Sequence, residues 1–123
     1  MLSKGSDWLR WEPHIHAPGT VLEDRFPSDG FEAYLTTLES ATPVMRAIGI
    51  TDYCVTASYE RVKAAKDAGR LEQCDLLFPN IELRLEIGTV KGHFVNIHLL
   101  VSPEDPEHVG ELNRFLRQLK FAT

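Results

Sequence analysis

The sequence predicts an α/β fold in which strands and helices alternate, and three observations carry that expectation. Short apolar runs end on polar residues, as in Ala47-Ile48-Gly49-Ile50-Thr51-Asp52. Between such runs, apolar residues recur at i, i+3, i+4 and i+7, as at Phe31, Tyr34, Leu35 and Leu38, the stripe of an amphipathic helix. Further on, Ile81 to Ile87 alternates strictly between apolar and charged residues, and a second strand-like run follows from His93 to Val101. The chain has 123 residues, 43% hydrophobic and 25% charged, the composition and size of one small globular domain.

Taken in order, the first strand spans Arg10 to His16, flanked by Trp8 and Trp11 as packing residues and ended by Pro18-Gly19. Thr20 to Ser28 reads as a loop that holds Glu23 and Asp24. Asp29-Gly30-Phe31-Glu32 has capping-box spacing, with an acidic cap at Asp29, and predicts a helix from there. Pro43 interrupts that helix, and Thr42 is placed to cap a fresh turn with Pro43 at its first position. A buried strand over Ala47–Asp52 follows. A second helix runs from Ser58 through Ala68 and is closed by Gly69. Leu76 opens a third strand, which joins the His93–Val101 strand as a β-hairpin through Gly88–Gly92. On an unbroken strand His93 and His98 face opposite ways. Ser102-Pro103-Glu104-Asp105-Pro106 predicts the start of a last helix, with Val109, Leu112, Phe115, Leu116 and Leu119 as its apolar stripe and His108 on its polar side.

The net charge of −5 and the lack of a dominant basic patch argue against a tight nonspecific grip on nucleic acid, although a nucleic acid held through metal ions remains open. No apolar run approaches about 18 residues, and the first residues lack the apolar stretch of a signal peptide. Cys54 and Cys74 make no disulfide framework, so a cytoplasmic chain with reduced thiols is expected.

The chemistry begins at His14-Ile15-His16. On a strand, side chains at i and i+2 share a face, so both imidazoles converge on one spot. Imidazole is the commonest protein metal ligand. Asp52 ends a buried strand, where parallel α/β folds gather their functional groups, though its residue type equally suits a helix cap. Glu82 and His98 lie on later strands. Mixed imidazole and carboxylate donors suit Zn, Mn or Fe better than Ca or Mg.

The ordered set of these motifs resembles the first half of a PHP (polymerase and histidinol phosphatase) domain. His14-Ile15-His16 is similar to the family's opening His-x-His motif. Ile48-Gly49-Ile50-Thr51-Asp52-Tyr53 is similar to its apolar strand ending in Thr-Asp-His. Pro79-Asn80-Ile81-Glu82 is similar to its Gly-x-Glu element, with Asn80 in place of Gly, and Asn96-Ile97-His98-Leu99-Leu100 resembles its later His-bearing strand. Gly5-Ser6-Asp7-Trp8 and the segment from Ala17 to Asp24 look like the start of TrlF-like proteins, which join a PHP domain to an AAA or SMC-like ATPase. The resemblance implies a partial distorted (β/α)7 barrel, of which residues 1–123 would supply the first three or four strands with their helices and hairpin. It implies divalent metal ions held by His14, His16, Glu82 and His98, with Asp24 as an acidic ligand from the loop and Asp52 as a catalytic-site residue.

The implied activity is hydrolysis of phosphoester bonds, in a small molecule or in nucleic acid, by metal-activated water. The partners implied are the remaining PHP half and an ATPase domain in a longer parent chain. Tyr53 stands where most members have a ligating His, which favours the alternative of a non-catalytic module. A partial barrel exposes strand edges, so self-association is also expected, together with weak or absent activity of the isolated chain.

Overall fold

The computed structural model describes residues 8–18 and 30–120. Within them the elements run β1 (Arg10–His16), α1 (Phe31–Ser40), β2 (Met45–Tyr53), α2 (Ala57–Asp67), β3 (Leu76–Gly88), β4 (Phe94–Leu100) and α3 (His108–Gln118). The strands form one sheet in the order β1-β2-β3-β4. β1, β2 and β3 are parallel, joined in turn through α1 and α2, and β4 returns antiparallel to β3. The α/β expectation is thus met.

Strand parity sorts the side chains. On one face lie Ile15, Ile48, Ile50, Leu77, Ile81 and Leu83, which the register places in neighbouring rows. Ile48, Ile50 and Leu77 pack with Tyr34, Leu35 and Leu38 of α1 and Tyr59 and Val62 of α2. Ile81 and Leu83 pack with Leu112 and Leu116 of α3. All three helices therefore cover the same face, and burial of these aliphatic groups, about 1.5–3 kcal/mol for each fully buried side chain, holds the layers together. The opposite face carries His14, His16, Thr51, Tyr53, Asn80, Glu82 and His98.

The Asp29 cap falls outside the described residues; α1 begins after Gly30, and Glu32 pairs with Arg70. Two local expectations are corrected. No helical turn forms at Pro43. The Thr42–Pro43 peptide is cis, and the run from Met45 extends as β2, pairing with Arg10 at its start. Pairing on both sides outweighs the local helix signal there. The last helix begins at His108 rather than near Ser102. Pro103 and Pro106 lack an N–H, and the Ser102 and Asp105 side chains accept the N–H groups of Glu104 and Glu107, which favours turns over a helix.

His108, read as a surface residue, is buried. Its Nδ1 lies 2.6 Å from the Asp105 carbonyl and must donate to it, so Nε2 accepts the Tyr59 hydroxyl at 2.7 Å. That bond ties α3 to α2. At the end of α2, Gly69 takes the left-handed backbone (φ 105°) that a side chain would strain. Arg70 then spans Glu39 and Glu32 of α1. This guanidinium, with the Leu71 N–H, holds the Glu39 carboxyl below the usual range.

Among the described residues, no helix is long and apolar enough to cross a membrane.

Candidate metal centre

β1 is an edge strand whose pairing with β2 slips between Glu12 and Ile15. Pro13 sits in the slip, where its missing N–H costs no ladder bond. The Pro13 carbonyl passes close over Gly49; a Cβ on Gly49 would stand 2.3 Å from that oxygen and 2.7 Å from Phe78 Cε2. The same carbonyl accepts the Asn80 Nδ2–H at 2.7 Å. The slip fixes the height of His14 over the sheet, and the regular backbone that follows puts His16 on the same face.

The two imidazoles meet, with His14 Nε2 3.1 Å from His16 Nε2. Glu82 reaches them from β3, two strands away, with Oε2 3.9 Å from His14 Nε2. Donor atoms of His14, His16 and Glu82 all lie within 4.8 Å of one another. A tetrahedral ion with ligands at about 2.0–2.2 Å needs donor separations of about 3.3–3.6 Å, and the His14–His16 and His14–Glu82 distances bracket that edge. The Glu82 side chain is 8% exposed and that of His14 48%, so the carboxylate is desolvated while one imidazole opens to solvent. Glu82 Oε1 accepts the Asn96 Nδ2–H at 3.0 Å. Oε2 is buried with no hydrogen-bond partner among the described residues. An unsatisfied buried carboxylate oxygen costs about 1–3 kcal/mol or more, and a cation at this spot would remove that cost. The residues present fit a divalent ion.

His98 is Cα partner to Glu82 across the hairpin and shares its face. Its ring stands 4.7 Å, centroid to centroid, from that of His14. In a flat sheet β1 and β4 would lie about 14 Å apart, three steps of about 4.8 Å. Side chains from the two edges meet because the sheet curls toward this face. His98 Nδ1 is 3.0 Å from Asn80 Oδ1, which leaves Nε2 as the ring nitrogen open to an ion. Tyr53, Cα partner to Glu82 on the other side, stacks on His16 with ring centroids 5.7 Å apart.

Of the residues read from the sequence, His14, His16 and Glu82 come together and His98 packs beside them. Asp24 lies outside the described residues. Asp52 does not join the group. It pairs with Ile81, points to the helix face, is 1% exposed, and accepts the Ser58 N–H at 2.8 Å. It orders the first turn of α2, the other reading its residue type allowed. Burial raises its pKa, opposed by the Ser58 hydrogen bonds and, less, by the charge of His16. His93 lies in the hairpin connection, its N–H on Thr89 Oγ1. Cys54 Sγ is 3.9 Å from the Glu82 carbonyl, and burial pushes the thiol pKa up, which keeps it protonated.

Two side chains escaped the sequence reading as parts of this centre, Asn80 and Asn96. The signal was present: Asn80 is two residues before Glu82 and Asn96 two before His98, so each shares a face with a ligand candidate. No family model, curated protein or solved structure matches this chain.

Proposed function

We propose that the chain is a PHP-type phosphoesterase or nuclease module that binds a divalent cation, Zn, Mn or Fe, through His14 Nε2, His16 Nε2 and Glu82 Oε2. The convergence of those three donors, one of them a buried carboxylate oxygen with no hydrogen-bond partner among the described residues, is the observation that carries this reading. Bound there, the ion would supply Lewis acidity to water and to a phosphoryl oxygen. The chain's own groups do the positioning. Asn96 holds Glu82 Oε1, so Oε2 stays aimed at the imidazoles. Arg84, one step along the same face, donates from Nε to Asn96 Oδ1 at 3.4 Å and leaves the rest of its guanidinium for a substrate anion. Substrate would be a phosphoester, in a small molecule or a nucleic-acid end. A basic groove is not required, because the cation and Arg84 meet the phosphate charge.

Tyr53 favours a second reading, a metal-binding PHP-like module that serves an attached ATPase without catalysis. Phenol is a poor ligand at neutral pH, with a pKa of about 10.

The first test is metal content of the purified chain after exposure to Zn or Mn and removal of free ion, by elemental analysis. About one tightly held ion is expected, lost in His14→Ala, His16→Ala and Glu82→Gln. A wild-type chain that retains no ion, or the same amount as these variants, overturns the proposal. The full-length gene product, loaded with metal, is then given a chromogenic phosphoester and single-stranded DNA. Hydrolysis that disappears in His14→Ala supports the enzyme; bound metal without hydrolysis selects the second reading.

A further inference from the structure

We propose that Asn80 is the positioning residue of this centre, setting both the ring tautomer of His98 and the place of the His14-bearing edge strand. The inference rests on the metal-binding reading above. Asn80 is 2% exposed, in the middle of the sheet, and both ends of its amide are committed. Its Nδ2 donates across β2 to the Pro13 carbonyl at 2.7 Å, the residue directly before His14. Its Oδ1 lies 3.0 Å from His98 Nδ1.

The amide's polarity settles the proton. If Nδ2 gives its hydrogen to a carbonyl, the other terminus is the carbonyl oxygen and can only accept. His98 must therefore carry its proton on Nδ1, and its Nε2 keeps a lone pair. A histidine ligand whose other nitrogen donates to a protein oxygen is fixed in orientation and more basic. One side chain thus couples β1 and β4, the two strands that are furthest apart in the sheet order and that bring His14 and His98 to ring contact. Reversing the amide would set Oδ1 against the Pro13 carbonyl, two acceptors face to face, so neither bond can change sense alone.

Long-range proton–nitrogen NMR on the metal-free chain, at a pH of about 8 where imidazole is neutral, reads the tautomer directly. His98 is expected in the Nδ1–H form. Asn80→Asp keeps an oxygen for His98 and should preserve that form while losing the Pro13 bond, whereas Asn80→Leu should lose both. Zinc affinity, from competition with a chromophoric chelator, should fall about 10- to 100-fold in Asn80→Leu and by less in Asn80→Asp. Wild-type His98 in the Nε2–H form overturns the proposal, and this needs no variant to fold. So does an Asn80→Leu chain with native dispersion and unchanged tautomer and affinity. A wild-type chain that shows the Nδ1–H form yet binds no metal supports the Asn80–His98 bond while overturning the metal reading, so the two fail separately.

Discussion

A single carboxylate shows how a residue's face decides its role. Asp52 ends a parallel strand, where catalytic groups gather, yet the pleat turns it toward α2 and its oxygen takes the Ser58 N–H. Because burial raises its pKa, the folded chain holds this proton more tightly than the unfolded one. The contribution to stability is complete below the ordinary Asp value of about 3.9 and is lost as pH rises through the raised folded value. At neutral pH the ionised group carries a desolvation cost. Asp52→Asn keeps an oxygen for Ser58 without the charge, and is expected to be at least as stable as wild type at pH about 7, with a flatter stability profile across mild acid. Asp52→Ala leaves a helix N–H without its acceptor and should lose about 1–2 kcal/mol. Urea unfolding of the metal-free chain checks both; an Asn variant much weaker at neutral pH would show that attraction to the α2 dipole outweighs burial.

At the scale of elements, the slip in β1 is the device that positions His14. It exists because an edge strand tolerates Pro13 and because Gly49 leaves room for the displaced carbonyl. A methyl at Gly49 would meet three atoms well inside contact distance, two of them backbone atoms of Pro13. Gly49→Ala is expected to cost about 1–3 kcal/mol or more through overpacking. It should also weaken zinc binding, because moving Pro13 moves His14 and breaks the Asn80 bond. A chain with an unchanged urea midpoint and unchanged metal affinity would refute this account of the slip. The hairpin is the second device: its register sets Glu82 opposite His98 and Arg84 opposite Asn96, so two ligand candidates and their hydrogen-bond partners share one face.

Over the whole molecule, the three helices lie on one side and the curled sheet leaves its site face without a helix among the described residues. Trp11 is 59% exposed and Leu100 55%, near the apolar end of that face, and β1 and β4 are its edges. An apolar surface beside an open strand edge invites a second sheet. The isolated chain is therefore expected to self-associate, and Trp11→Lys to shift it toward monomer. Size-exclusion chromatography with light scattering reads this; a monomer at high concentration refutes it.

Period-two and period-3.6 patterns made the strand–helix order legible, and the alternation from Ile81 to Ile87 located the hairpin. The i, i+2 spacing of His14 and His16 determined that they share a face, since the pleat allows nothing else. The fate of Pro43 was misread because sheet pairing, made with distant residues, outweighs local signals. Whether Asp52 faces the metal candidates depended on register between strands, which no local pattern encodes. Only tertiary curl brought the edge strands' histidines together, because the distance between β1 and β4 is a property of the whole sheet and of the helices that pack behind it.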